Sequence, residues 1–477
     1  MRPAVPFVKV VDDLAPEDVA MLQAFYSRSS ASVLTHLERV QRTGSARFME
    51  QHYVGYNHKS IGDCGSTTLF FEGVSLLAAK AIQDWPLYSG QETSTRYVDM
   101  TAQPIVDPIG SRQSAAILEQ WMGLYQRLLP IVEEGVRRRY PQREGEPREV
   151  YDRAVKARTF DITRCFLPAG VTTQLSWHTN LRQVGDHMLG LAHHPLEELR
   201  TLTRMAREEL GARYVSSRPN LGLAAVSGVA PSQGAADRLA WERQVAELFT
   251  YQQPLFAEED RTNPNLPEVV FWTDVHAQLF NDRYLLPYES ILADRPRGTI
   301  LPHFMADLGQ IHFDFPLDFG SFRDAQRHGR SGTCRMPLLT TKLGFEPWYL
   351  TQLELCFGGD ATKQAMQLEL LLGIIEYIKR QIDRLDCTPE VRQYYIPLGF
   401  RVPVSLSHGL PAAIYILELC SSKTVHPTLR QKMLQAADAF HMKYPWVALH
   451  VDRDPDDWDI RRGTQTILPR SELAPQP

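Results

Sequence analysis

Cysteine is sparse and unpatterned in this chain. Six residues in 477 (Cys64, Cys165, Cys334, Cys356, Cys387 and Cys420) are scattered with no C-x-x-C pair. That excludes a disulfide framework or a thiolate zinc site and fits the reduced thiols of a cytoplasmic protein. No apolar run reaches the length of a membrane span, and the N-terminus has no basic-then-apolar leader, so the chain reads as soluble and unexported, with no membrane partner. An excess of positive charge is also missing. Lys and Arg number 51 against 56 Asp and Glu, a formal −5. No global field or basic stripe draws the chain to nucleic acid. The adjacent pair His193-His194 makes a poor metal site, because neighbouring helical positions point about 100° apart. What is plentiful is apolar surface: 43% hydrophobic residues can bury a sizeable core. The length predicts two to four domains or one internally repeated body.

Residues 7–11 read as a short strand. Pro16, with Glu17 and Asp18 behind it, opens a helix with Val19, Leu22, Phe25 and Tyr26 on one face. Residues 66–77 read as a strand entering a helix that stops before Pro86. Helical periodicity runs over 111–137, where Pro130 is expected to kink or end the helix. Residues 137–150 read as a charged loop, 195–213 and 236–252 as helices, 215–235 as a linker, and 360–385 as a second long helix.

The stretch Glu92-Thr93-Ser94-Thr95-Arg96-Tyr97 puts a carboxylate, a hydroxyl and a guanidinium at alternate positions. If extended, it presents all three on one face, suited to a phosphorylated polar ligand. By composition alone it also reads as a solvated edge strand. Upstream lie Tyr56-x-His58-x-Ser60-Ile61-x-Asp63 and an apolar run ending Glu72-Gly73-Val74-Ser75. Downstream lie Arg164-Cys165-Phe166-Leu167-Pro168 and Trp177-His178-Thr179-Asn180-Leu181-Arg182. Together these motifs resemble the flavin-dependent thymidylate synthase family over roughly residues 5–250. The second pair is similar to the family's Arg-x-x-Leu-Pro and Trp-Thr-x-Asn-x-Arg elements, with sixteen residues from Arg164 to Asn180.

From residue 260 the pattern starts over. The helix at 360–385 mirrors that at 111–137, Ile396-Pro397-x-Gly399 mirrors Leu167-Pro168-x-Gly170, and the Leu-Arg and Tyr positions that follow keep their spacing. Two copies of one α+β sheet-and-helix unit are expected, 1–245 and 246–477, a tandem duplication. The second copy has its own signature, Arg327-His328-Gly329-Arg330, which resembles the family's Arg-His-Arg element. In the first copy that slot holds Asp84-Trp85-Pro86.

The resemblance implies a division of labour. Glu92, Ser94, Arg96 and Arg164 would hold a uracil nucleotide such as dUMP. Arg327, His328, Arg330, Asn180, Arg182, His58 and Ser60 would hold FAD, with NADPH and methylenetetrahydrofolate as further reactants. No enzyme nucleophile is implied, so no catalytic residue is assigned. Family members are homotetramers with pockets at subunit interfaces, so a duplicated chain is expected to form a homodimer, or to stay a monomer if the fusion suffices. Arg327 and His328 should then meet the Glu92–Arg96 segment where the copies join. The family's pyrimidine-polarising arginine has no counterpart near Leu189–His193, and Cys64 stands where a flavin-contacting His is common. Two functions therefore stay open: reductive one-carbon transfer to a pyrimidine or a related flavin reaction, and a non-catalytic relative that binds a nucleotide or a partner. Single residues keep two readings as well. Arg164 can bind phosphate or cap a helix end, Asn180 and Arg182 can touch adenosine or cap a helix, and His58 and Ser60 can hold a turn. His408 and Cys420 read as core residues.

Overall fold

The computed structural model describes residues 9, 11–29, 31–55, 59–223, 240–241, 244, 270–273 (backbone), 285–328 and 332–463. They fall into two compact units: Met1–Glu72, Leu87–Glu92 and Gln174–Gln252 in the first, and Gly73–Pro86, Thr93–Thr173 and Gln253–Pro477 in the second. The boundary expected at residue 245 lies outside the described residues, as do Tyr56, His58, Arg330 and most of the segments 7–11, 215–235 and 236–252. The class is α+β, with helices around small antiparallel sheets.

In the first unit α1 (Pro16–Tyr26) opens on its proline with Glu17 and Asp18 in the first turn, where carboxylates suit the positive helix end. α2 (Val33–Thr43) is capped by Ser32 and ends at Gly44. β1 (Ser66–Ser75) and β2 (Thr172–Asn180) form a two-stranded sheet, and their last and first few residues respectively belong to the second unit. β2 leads into α6 (Leu181–Leu191) and α7 (Glu197–Arg213) of the first unit.

The second unit begins with α3 (Leu76–Gln83), then α4 (Arg112–Arg139) and α5 (Arg148–Thr163). α4 is one continuous helix, so of the two outcomes expected at Pro130, a kink or an end, the end does not occur. Both Pro130 and Gln126, whose carbonyl loses its N–H partner, are exposed, so water can satisfy the orphaned group. A four-stranded antiparallel sheet follows, in the order β3 (Val270–Thr273), β4 (Gln310–Asp318), β6 (Arg401–Gly409), β5 (Gly332–Arg335). Pro316 and Pro403 stand directly opposite one another in β4 and β6. Neither can donate, so theirs is a non-hydrogen-bonded pair, and β3 and β5 stop short of both prolines on the outer sides. Helices α8 (Phe319–Gln326), α9 (Pro347–Cys356), α10 (Ala361–Asp383), α11 (Leu410–Cys420) and α12 (Pro427–Lys443) complete the unit.

At the centre of the second unit two loops bond to one another reciprocally. Ala169 N–H donates to Ile396 O at 3.0 Å, and Leu398 N–H to Leu167 O at 2.9 Å. Gly170 N–H donates to Tyr394 O and Gly399 N–H to Cys165 O, each at 2.9 Å. The helices above them repeat the relation. Leu76 and Leu77 at the start of α3 donate to Val171 and Ala169, and Phe319 and Gly320 at the start of α8 donate to Phe400 and Leu398. Around this cradle pack Trp121, Phe166, Phe345 and Phe400, with ring centroids 5.3–6.4 Å apart.

Candidate functional site

In the first unit, Glu92 makes an antiparallel bridge with Leu175 of β2. Asn180 ends β2 and caps α6, its Oδ1 accepting from Gln183 N–H at 2.9 Å. Arg182 Nε donates to Asp63 Oδ1 at 2.6 Å. Ser60 sits in a 3-10 turn, Lys59–Cys64, where its carbonyl faces the Cys64 thiol. Thr68 Oγ1 meets His178 Nδ1 at 2.9 Å.

The segment after Glu92 is not extended. Tyr97 N–H donates to Ser94 O at 3.2 Å and Arg96 N–H to Ser94 Oγ at 3.2 Å, a turn built on the serine hydroxyl. The single face expected of Glu92, Ser94 and Arg96 is therefore lost, because alternation needs extended backbone. In the second unit the turn sends Arg96 inward. Its Nε and Nη2 donate to the two oxygens of Asp161 at 2.8 and 3.4 Å, and Nη1 donates to Thr424 O at 3.1 Å. Arg462 pairs with Asp161 from the other side. Burial pushes the Asp161 carboxyl up, but Arg462 and Arg96 outweigh it and hold it well below the usual carboxylate range.

Arg164 opens the 3-10 turn Arg164–Phe166 that follows α5, and it is fully buried. Its Nη2 donates to Ser321 Oγ at 2.9 Å, its Nη1 to Asp324 Oδ2 at 3.3 Å and its Nε to the Tyr349 hydroxyl at 3.3 Å. Arg327, one residue past α8, donates from Nη2 to the other Asp324 oxygen at 2.7 Å. Asp324 thus lies between two guanidiniums. Burial raises its pKa, yet Arg164, Arg327, Arg96 and Arg323 together hold it far below its ordinary value. The side chains of Asp324 and Arg327 remain 21% and 32% exposed, so this end of the cluster is its rim. The ring of His328 meets Tyr415 edge-on at 6.5 Å.

Beneath the rim, Asp318 caps α8 through Ser321 N–H at 2.9 Å and accepts from the Tyr349 hydroxyl at 3.0 Å and Thr428 Oγ1 at 2.6 Å. His426 caps α12. Its Nε2 faces the Asp161 carbonyl at 3.1 Å, so that nitrogen carries the proton, and its Nδ1 accepts from Thr428 N–H at 3.4 Å. Burial, then Arg164, drives its pKa well below the ordinary value, so it is a neutral linker. One bonded network therefore runs from Arg462 through Asp161, His426, Thr428, Asp318 and Arg164 to Asp324 and Arg327.

Arg96, Arg164 and Arg327, distant in sequence, are gathered around this network. Asp161, Asp318, Tyr349, His426 and Arg462 were not singled out by sequence. Only Asp318 left a signal, an Asp three residues before Ser321 at a helix start. Among the described residues no cluster of His, Cys, Asp and Glu could hold a metal. All six cysteines are free thiols, and among the described residues no helix is long and apolar enough to cross a membrane.

Of the residues assigned to FAD, Arg327 pairs with Asp324, Arg182 with Asp63, and the Asn180 amide oxygen caps a helix, so as they stand these three are not placed to hold a flavin dinucleotide. His58 and Arg330 lie outside the described residues.

These features define a class, an α+β protein with a strand-to-helix Asn-x-Arg corner in its first unit and, in its second, an Arg-x-x-Leu-Pro loop whose arginine joins a buried ion-pair cluster. Over residues 9–214 the chain matches the family model of the thymidylate synthase complementing protein. Similarity extends along the chain to a UPF0159 protein of Chlamydia muridarum, 25% identical over 87% of this chain and 82% of that one. A UPF0159 protein of Chlamydia pneumoniae is 25% identical over 81% and 76%. One of Thermoplasma acidophilum is 22% identical over 90% and 94%.

Proposed function

We propose that this protein is a thymidylate-synthase-like relative made of two copies of one sheet-and-helix unit, in which the phosphate-holding arginines have been turned into internal ion pairs. It is a non-catalytic relative that keeps the family scaffold and has given up nucleotide capture at this cluster. One observation carries the reading: the Asp324 carboxylate occupies the point on which Arg164 and Arg327 converge. A nucleotide phosphate arriving there would have to displace a carboxylate bonded to both arginines, with Asp161 and Asp318 close behind.

Two features support the two-copy part. The reciprocal loop bonds are one. The other is matched element length: β2 and β6 have nine residues each, α6 and α11 eleven, α7 and α12 seventeen, α3 and α8 eight.

The test is calorimetric titration of the full chain with dUMP and with FAD, separately and together. The expected result is no dUMP binding by the natural protein and a gain of at least about tenfold in affinity in Asp324→Asn, which removes the negative charge that Arg164 and Arg327 share. Tight dUMP binding by the natural protein, lost in Arg96→Gln, would overturn it.

A second reading, the FAD-dependent enzyme acting on a uracil nucleotide with NADPH and methylenetetrahydrofolate, is favoured by the convergence of Arg96, Arg164 and Arg327. Its readout is a yellow protein with a flavin absorbance band; a colourless chain that takes up no added FAD removes it.

A further inference from the structure

We propose that a cavity in the second unit, between the loop 295–301 and one face of α11, binds a free α-amino acid with a large apolar side chain. The inference stands apart from the nucleotide reading, since Arg96, Arg164, Asp324 and Arg327 do not line this cavity.

Pro411, Ile414, Tyr415, Glu418 and Leu419 of α11 recur at steps of three and four, so they share one helix face. With Ile300 and Leu301 of the loop they bound a cavity of about 250 Å³. That is below the range of about 300–1,000 Å³ that holds drug-sized ligands, so a compact molecule fits and a dinucleotide does not. Ile300 and Tyr415 are 71% and 43% exposed, apolar surface that an occupant would cover.

The polar lining is fixed by bonds within the unit. Arg295 is buried; its Nη1 donates to Thr299 O at 2.6 Å, and its Nη2 donates to Ala448 O at 3.0 Å and to Glu418 Oε1. The backbone N–H of His450 donates to the same Glu418 oxygen at 2.8 Å, and its ring Nε2–H donates to Arg295 O at 2.6 Å. The loop is therefore closed on itself before a ligand arrives, which lowers the cost of binding.

Three groups on this lining remain open. Glu418 Oε2 accepts no hydrogen bond from the described residues. The Arg295 Nε–H is buried and has no acceptor, a costly state that calls for a partner. Arg297, exposed, pairs with no carboxylate among the described residues. An open carboxylate oxygen beside open guanidinium donors suits a molecule that carries an ammonium and a carboxylate together. A phosphate would meet the like charge of Glu418, and a simple amine that of Arg297. An α-amino acid places both charges on one carbon and leaves its side chain for the apolar face of α11.

Calorimetric titration of the full chain with L-leucine and L-phenylalanine tests this. At least one is expected to bind, one per chain, with a Kd below about 1 mM. Phenylpropionate, which lacks the ammonium, and phenethylamine, which lacks the carboxylate, should each bind at least about tenfold more weakly than L-phenylalanine. Leu419→Trp, which fills the cavity, should abolish binding. Should that variant fail to fold, Arg297→Ala decides: at an exposed position it should leave Tm unchanged and weaken binding by about tenfold. The proposal is overturned if neither amino acid binds at about 10 mM. It is equally overturned if phenylpropionate or phenethylamine binds as tightly as L-phenylalanine, or if binding is unaltered in both variants.

Discussion

Two turns in the second unit follow helices of equal length and carry opposite chemistry. After α3 comes Asp84-Trp85; after α8 comes Arg327-His328. Both helices start on the same backbone scheme, with two N–H groups donated to the facing loop. The caps differ. Ser75 receives Ala78 N–H at 2.9 Å, whereas Asp318 receives Ser321 N–H together with Tyr349 and Thr428. The first residues of the two 3-10 turns differ likewise. Arg164 joins the ion-pair network, while Gln393 at the start of Gln393–Tyr395 bonds only to backbone, accepting Leu339 N–H at 2.9 Å and donating to Glu390 O at 3.1 Å. Backbone hydrogen bonding takes one form in both places, and the side-chain charge laid on it differs. The lesson is that one backbone scheme can carry either chemistry.

Mutation can sharpen or break that contrast. Asp318→Ala strands two hydroxyls and a helix N-terminus beside a buried arginine, and it should destabilise by about 3–5 kcal/mol in urea titration. A loss under about 1 kcal/mol would mean the network is ornamental.

The next effect is one of pH. Burial, then Asp318, pushes the Glu346 carboxyl up to about 7. Its folded-state pKa therefore exceeds the unfolded value, so the folded form binds the proton more tightly. The associated stability is present at acid pH and lost as pH rises from about 4.5 to 7. Glu346→Gln should flatten that decline and gain up to about 3 kcal/mol at pH 8. A pH profile unaltered by the substitution would refute this assignment.

Ser75→Ala should cost about 1 kcal/mol, an ordinary cap. A cost equal to that of Asp318→Ala would erase the difference between the two caps. Asp84→Ala, at an exposed position, should change stability by no more than about 0.5 kcal/mol.

Much of the skeleton could be read from the residues. Pro16, the apolar run into α3, the two long helices and the paired Leu-Pro-x-Gly and Ile-Pro-x-Gly loops all lie where periodicity and turn chemistry put them. Pro130 leaves its helix unbroken because the carbonyl it orphans, on exposed Gln126, is open to water, which spacing alone does not show. The Glu92–Tyr97 stretch misled because a serine hydroxyl can bend its own backbone, and alternation alone cannot show that. Asp161, His426 and Arg462 left no trace because they are joined across as many as 301 residues, and local pattern holds no information on such pairing. Arg96 and Arg164 were noticed as cations; that their counter-ions are internal was not visible.

The reciprocal loop bonds carry a consequence for dissection of the gene. Severing the chain between residues 223 and 285 and producing the fragments apart would leave Cys165 and Leu167 of one, and Tyr394 and Ile396 of the other, short of the N–H each carbonyl now accepts. Neither piece should be a soluble monomer. Mixed together, the fragments should find each other as a clasp finds its eye.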